Sequence, residues 1–171
     1  INAANKGLIF FPTSDQISKL ATNGNTLFLS KSFLLKESDF ISANRIINNR
    51  KIEYAVSQPS VVMLFYFYYK QGKISQIPSM KYIEFNGEYL EPSLLEKVKE
   101  VFPNAIFSNQ YGLQELQTVA FTCPEGHMHL MSNNCYTEIV NKDENGIGDI
   151  CITTLKNSVM PYVRFITGDK G

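Results

Sequence analysis

The sequence predicts an α/β fold: a mostly parallel sheet with flanking helices, followed by an antiparallel β region. Three observations predict it. Up to about residue 117, short apolar runs alternate with stretches of helical periodicity, the rhythm of strands joined by helical crossovers. Beyond about residue 117, strand-like runs follow one another without a helical pattern between them. Pro59 and Pro92 each stand where a helix begins, a position at which the missing N–H is one that would lack a partner anyway.

The elements follow in order. Residues 8–11 and 26–30 read as strands, separated by the turn-rich Ala21-Thr22-Asn23-Gly24-Asn25. Residues 36–49 read as a helix, with Phe40, Ala43 and Ile47 at helical spacing. A strand at 53–57 leads into a helix opened by Pro59 and ended by Gln71-Gly72. That helix is apolar almost all round and is expected to be buried on most sides. A strand at 81–85 precedes the helix opened by Pro92, where Leu94, Leu95, Val98, Val101 and Phe102 form one stripe and Pro103 is the stop. Residues 105–108 are the next strand. Strands at 118–122, 127–131, 135–140 and 148–155 complete the chain, with Asn145-Gly146 as the turn between the last two.

Composition narrows the function. The chain has 171 residues, 44% of them apolar and 19% charged, which suits a folded globular protein. Sixteen Lys plus Arg balance sixteen Asp plus Glu. With no net charge and no dense basic cluster, the electrostatic case for a nucleic-acid partner is absent. The longest apolar run, 61–69, is too short to cross a bilayer as a helix, so no membrane partner is expected. Three cysteines without a secretory signal read as thiols in a reducing compartment, hence a cytoplasmic location. Neither Ile1 nor Gly171 looks like a natural terminus. The oligomeric state is not legible.

Three segments carry chemistry. Phe85-Asn86-Gly87-Glu88 follows a strand, and a glycine there lets a ligand approach the backbone closely; a plain Asn-Gly turn is the competing reading. Asn109-Gln110-Tyr111-Gly112-Leu113-Gln114-Glu115 also follows a strand. Tyr111 offers a face for a base to stack on, and Glu115 suits magnesium, which takes one or two carboxylates plus phosphate oxygens; a loop tyrosine and a solvated glutamate are the alternative. The third runs from Met160 to Asp169, where Asp169 at a tight turn would accept two hydrogen bonds from a ribose diol; an ordinary turn is the alternative there.

In order and spacing, the set resembles the adenylate-forming superfamily of acyl–coenzyme A ligases. Gly87-Glu88, Tyr111-Gly112-Leu113-Gln114-Glu115, Gly148-Asp149 and Thr167-Gly168-Asp169 match its motifs. Cys123-Pro124, His129, Glu138-Ile139 and the segment from Met160 to Asp169 resemble its phenylacetate–coenzyme A ligase branch. Residues 29–40 and Gln58-Pro59-Ser60 resemble relatives of that branch associated with capsular polysaccharide biosynthesis. Asn86 departs from the first Gly of the family's Gly-Gly-Glu, and Gln114 from its usual Thr.

The resemblance implies a fragment of an ATP-dependent ligase that activates a carboxylic acid and passes it to a thiol such as coenzyme A. It implies that residues 1–117 and 118–171 are the α/β and β-rich parts of one adenylation core. Tyr111 and Gly112 would bind adenine, Gly87 and Glu88 wall its pocket, Asp169 hold the ribose, and Glu115 serve catalysis by holding magnesium. Arg164 is expected to brace its strand. The family's phosphate-binding loop and its carboxyl-terminal domain have no counterpart in these residues, so the fragment is expected to be inactive alone. Cys123 and His129 resemble half of a structural zinc site in the branch; a self-contained site with His127 and Cys135 is a second possibility, and unliganded side chains a third. The rival functions are a degenerate, non-catalytic relative that binds a nucleotide or partner in a surface-polysaccharide pathway, and a structural piece with no ligand. The aromatics of residues 54–69 suit an acyl pocket or simply a buried helix.

Overall fold

A computed structural model describes residues 36–171 throughout and, before them, the backbone of 7–11, 20–23 and 26–30. The chain forms two compact units, Ile1–Asn109 and Gln110–Gly171.

In the first unit, β1 (Gly7–Phe11) lies between β3 (Thr26–Ser30) and β4 (Tyr54–Ser57), parallel to both. β4 pairs in parallel with β5 (Tyr82–Phe85), and β5 with the start of β6 (Ile106–Leu113). β2 (Leu20–Asn23) is antiparallel to β3. It occupies residues whose sequence predicts a turn, because Leu20, Ala21 and Thr22 carry strand pairing up to the Gly24-Asn25 pair; those two residues lie outside the described ones. Part of the 29–40 segment lies outside them too.

Helices α1 (Glu37–Arg50), α2 (Pro59–Lys70) and α3 (Pro92–Lys99) follow β3, β4 and β5. The Lys36 N–H donates to the Asp39 carboxylate at 3.1 Å, satisfying one of the amides at the start of α1 and placing negative charge at the positive end of the helix. Phe40, Ala43 and Ile47 of α1, Val61, Val62 and Phe65 of α2, and Leu94 and Val98 of α3 are buried with Ala55, Ile83 and Phe85 of the sheet in one core. Each fully buried Phe or Ile is worth roughly 1.5–3 kcal/mol over its exposed state. Phe40 meets the Phe65 ring edge-on at 5.1 Å.

Two expectations change here. α2 buries one face only: Leu64 and Phe67 stay exposed, because sheet, α1 and α3 cover a single side. α3 ends at Lys99, before the last two residues of its stripe. Val101 and Phe102 still enter the core, through turn hydrogen bonds to the Val98 carbonyl at 3.0 and 2.9 Å.

In the second unit all pairing is antiparallel. The later part of β6 pairs with β7 (Gln117–Thr122), and β7 with β8 (Met128–Leu130). β9 (Cys135–Val140), β10 (Asp149–Thr154) and β11 (Phe165–Lys170) form a second sheet with β10 in the centre. Leu116, Val119, Cys135 and Ile152 form its core, with Tyr111, Leu113, Tyr162 and Phe165 packed against it. Among the described residues no helix lies between β7 and β10. The Arg164 guanidinium pairs with the Glu138 carboxylate of β9 at 3.1 Å, tying the start of β11 to the sheet.

Candidate functional site

In the first unit, the segment after β5 folds back over the start of α2. The Asn86 N–H donates to the Ser57 carbonyl at 3.1 Å. Gly87 has φ of 73°, a left-handed conformation that a side chain would strain. The turn brings half-buried Glu88 onto Ser60, whose backbone N–H donates to one carboxylate oxygen at 3.0 Å and whose hydroxyl donates to the other at 2.9 Å. Sequence marked Ser60 only within the Gln58-Pro59-Ser60 resemblance and gave it no role, since a serine in a first helical turn has no distinguishing pattern.

In the second unit, Tyr111 and Asp169 meet although 58 residues separate them: the phenol donates to the Asp169 carboxylate at 2.7 Å. Tyr111 lies within β6 rather than on a loop, because antiparallel pairing with β7 extends the strand through a polar stretch as far as Leu113. Gly112 makes that pairing possible: a Cβ there would stand 2.5 Å from the Gln117 carbonyl oxygen. The Thr167-Gly168-Asp169 segment belongs to β11 rather than to a turn after it. The register against β10 shifts between Asp149 and Cys151, so β11 bulges here, with Gly168 at φ of 91°. The bulge swings Asp169 toward Tyr111. Thr167 holds it open, its hydroxyl donating to the Ile150 carbonyl at 3.1 Å and accepting from the Asp169 N–H at 3.1 Å. Sequence marked Thr167 only as part of a motif; its positioning contact is the local Ser/Thr turn pattern of such residues.

Burial and the adjacent Asp169 carboxylate push the Tyr111 phenol up from 10.0 to about 12, a rise the Thr167 hydroxyl partly opposes. Tyr111 is therefore a neutral donor throughout the physiological range. Its bond to one Asp169 oxygen fixes the carboxylate and leaves the second oxygen to accept from a diol. A half-buried ring beside a fixed carboxylate has the donors and acceptors a nucleoside needs.

Glu115 is exposed in the three-residue connection between β6 and β7. It fits a cation that draws its remaining ligands from phosphate and water. Zinc is a different matter. The Cys123 N–H donates to the His127 carbonyl at 2.9 Å in the β7–β8 turn, and His129 stands opposite Phe121. The Cys123 side chain hydrogen-bonds to the Glu125 carboxylate, holding that carboxyl below its ordinary range. Cys135 is buried in β9. Among the described residues no three His, Cys, Asp or Glu groups gather to hold a metal. Two ligands do not make a tetrahedron, so these residues do not form a self-contained zinc site with His127 and Cys135.

No protein-family model matches the chain, and no curated protein matches it in sequence. Solved structures do match in shape. An open conformation of 2-hydroxyisobutyryl-CoA ligase in complex with 2-HIB-AMP and CoA superposes with a TM-score of 0.70 at 14% identity, over 98% of this chain and 44% of that one. VinN in complex with L-aspartate gives 0.65 at 16% identity, over 98% of this chain and 47% of that one. A long-chain-fatty-acid-CoA ligase from Archaeoglobus fulgidus gives 0.60 at 11% identity, over 90% and 35%. The chain thus spans less than half the length of each. At these identities the likeness is one of fold: a mostly parallel sheet with helices and an antiparallel region, as in parts of the domains of an adenylate-forming enzyme.

Proposed function

We propose that the protein of which this chain forms part activates a carboxylic acid with ATP, giving an acyl-adenylate and pyrophosphate, and then transfers the acyl group to a thiol such as coenzyme A. The observation that carries the reading is the Tyr111–Asp169 hydrogen bond, which joins two motif residues far apart in sequence on a fold shared with acid-activating ligases.

In this reading the carboxylate oxygen of the acid attacks the α-phosphorus of ATP and the bond to pyrophosphate breaks. The protein's part is positioning and charge neutralisation. Tyr111 and Gly112 present ring and backbone to adenine. Gly87 and Glu88 wall the adenine pocket, Asp169 accepts from the ribose hydroxyls, and Glu115 holds magnesium against the phosphates. In the longer protein, Cys123 and His129 would supply two of four zinc ligands. The resemblance to capsule-associated relatives points to a role in surface-polysaccharide biosynthesis. Asn86 and Gln114, where the family has Gly and Thr, favour a second reading: a relative that binds nucleotide without catalysis.

The test is ATP-dependent pyrophosphate release by the full-length protein across a panel of carboxylic acids. Release with at least one acid supports the ligase. Nucleotide binding without release supports the binder.

A further inference from the structure

We propose that Ser60 and Glu88 form a clamp that fixes the Gly87 main chain at the carboxyl ends of β4 and β5, which makes both of them positioning residues for nucleotide affinity. The inference rests on the nucleotide reading above and assigns these side chains a role through Gly87 rather than on the ligand.

The geometry starts from Pro59, the first residue of α2, which has no N–H. The first donor of the helix is therefore the Ser60 N–H, and no carbonyl of the helix itself faces it. Glu88 supplies the acceptor from another part of the chain, with one oxygen on that N–H at 3.0 Å and the other on the Ser60 hydroxyl at 2.9 Å. Its charge stands at the positive end of the helix. On the near side of Gly87, the Asn86 N–H is bonded to the Ser57 carbonyl at 3.1 Å. Gly87 thus lies between two anchors, and its left-handed φ of 73° is what lets both be made at once. Each Glu88 oxygen accepts a hydrogen bond from Ser60, which holds this carboxylate on the loop. A residue that wall-lines a pocket by its backbone needs such a fastening, because glycine holds its own conformation poorly.

The experiment uses the full-length protein with Glu88→Gln, Ser60→Ala, the double variant, and Ser60→Thr, which keeps both donors. Without nucleotide, the amides of residues 60–62 and 86–90 are expected to exchange at least about tenfold faster in Glu88→Gln than in wild type. In pyrophosphate release, Glu88→Gln is expected to raise the ATP KM by about 5–20-fold while kcat changes by less than about twofold. The double variant should be no weaker than Glu88→Gln, since both remove one device, and Ser60→Thr should match wild type. Unchanged exchange, or a loss confined to kcat, overturns the clamp. A wild type that neither binds ATP nor releases pyrophosphate overturns the nucleotide reading, and the exchange measurement then judges the clamp by itself; a wild type that binds without release moves the same test, a rise of about 5–20-fold, from the KM to the ATP Kd.

Discussion

Glu84 lies in β5 between Ile83 and Phe85, both fully buried, and alternation turns it away from their core. Burial nonetheless raises its carboxyl above the ordinary 4.5, against a weaker opposing hydrogen bond from Tyr82. The folded state therefore prefers the protonated acid. That preference stabilises the fold below the unfolded value and is lost as pH rises through the folded one. Glu84→Gln is accordingly expected to raise Tm at pH 7, with the gain shrinking as pH falls below about 4.5; a gain that persists unchanged at pH 3 would contradict this. Tyr111 titrates at the other end of the scale. Its phenol moves from 10.0 to about 12 on folding, so the stability of the neutral form is complete below pH 10 and is lost between 10 and 12. Thermal melts of Tyr111→Phe should lack that alkaline loss. Of the candidate residues, sequence identified Tyr111 and Asp169 separately, but not their contact, because that depends on a bulge and on which strands pair. The contact of Ser60 with Glu88 was invisible for a simpler reason: the two lie 28 residues apart.

At the scale of elements, the chain is most legible where a residue type dictates the backbone. α2 begins at Pro59 and ends at Lys70, before the Gly72 turn at φ of 70°, as proline at a first helical position and glycine after a last one require. It is least legible where tertiary pairing overrides local pattern. Asn109-Gln110-Tyr111-Gly112 reads as a loop, yet β6 continues through it because β7 supplies the hydrogen bonds. The β6–β7 hairpin then offers a test. Its two strands approach so closely at Gly112 that Gly112→Ala must displace the Gln117 carbonyl. Gln117 already sits at φ of 59° and has little freedom to yield. The substitution is expected to cost about 1–3 kcal/mol, the range of overpacked sites, measurable by denaturant unfolding. A variant within 0.5 kcal/mol of wild type, about the spread of surface changes, would show that the hairpin gives way freely. Ser60→Thr, by contrast, is made at an exposed position.

For the molecule as a whole, the change from helix-linked to helix-free strands was readable because periodicity reports it directly. Activity is less directly encoded, since a fold hosts many functions and chemistry resides in the site. The chain spans less than half of each solved structure it resembles in shape, so the reaction is proposed for the full-length protein. Within it, Glu115 is the sharpest test of magnesium chemistry. It is exposed on a connection between strands, so Glu115→Ala opens no cavity and should leave Tm unchanged within about 1 °C, as for surface substitutions. If Glu115 holds magnesium as proposed, its loss weakens the cation that would neutralise transition-state charge and should lower kcat by about 100-fold or more. The most direct measurement is pyrophosphate release from ATP and magnesium by the full-length protein, with wild type and Glu115→Ala run against the same panel of acids. The account predicts acid-dependent release by wild type and its near-abolition in a variant that melts normally. Release at the wild-type rate from Glu115→Ala would contradict the assigned role, and a folded wild type that neither binds ATP nor releases pyrophosphate would contradict the function itself.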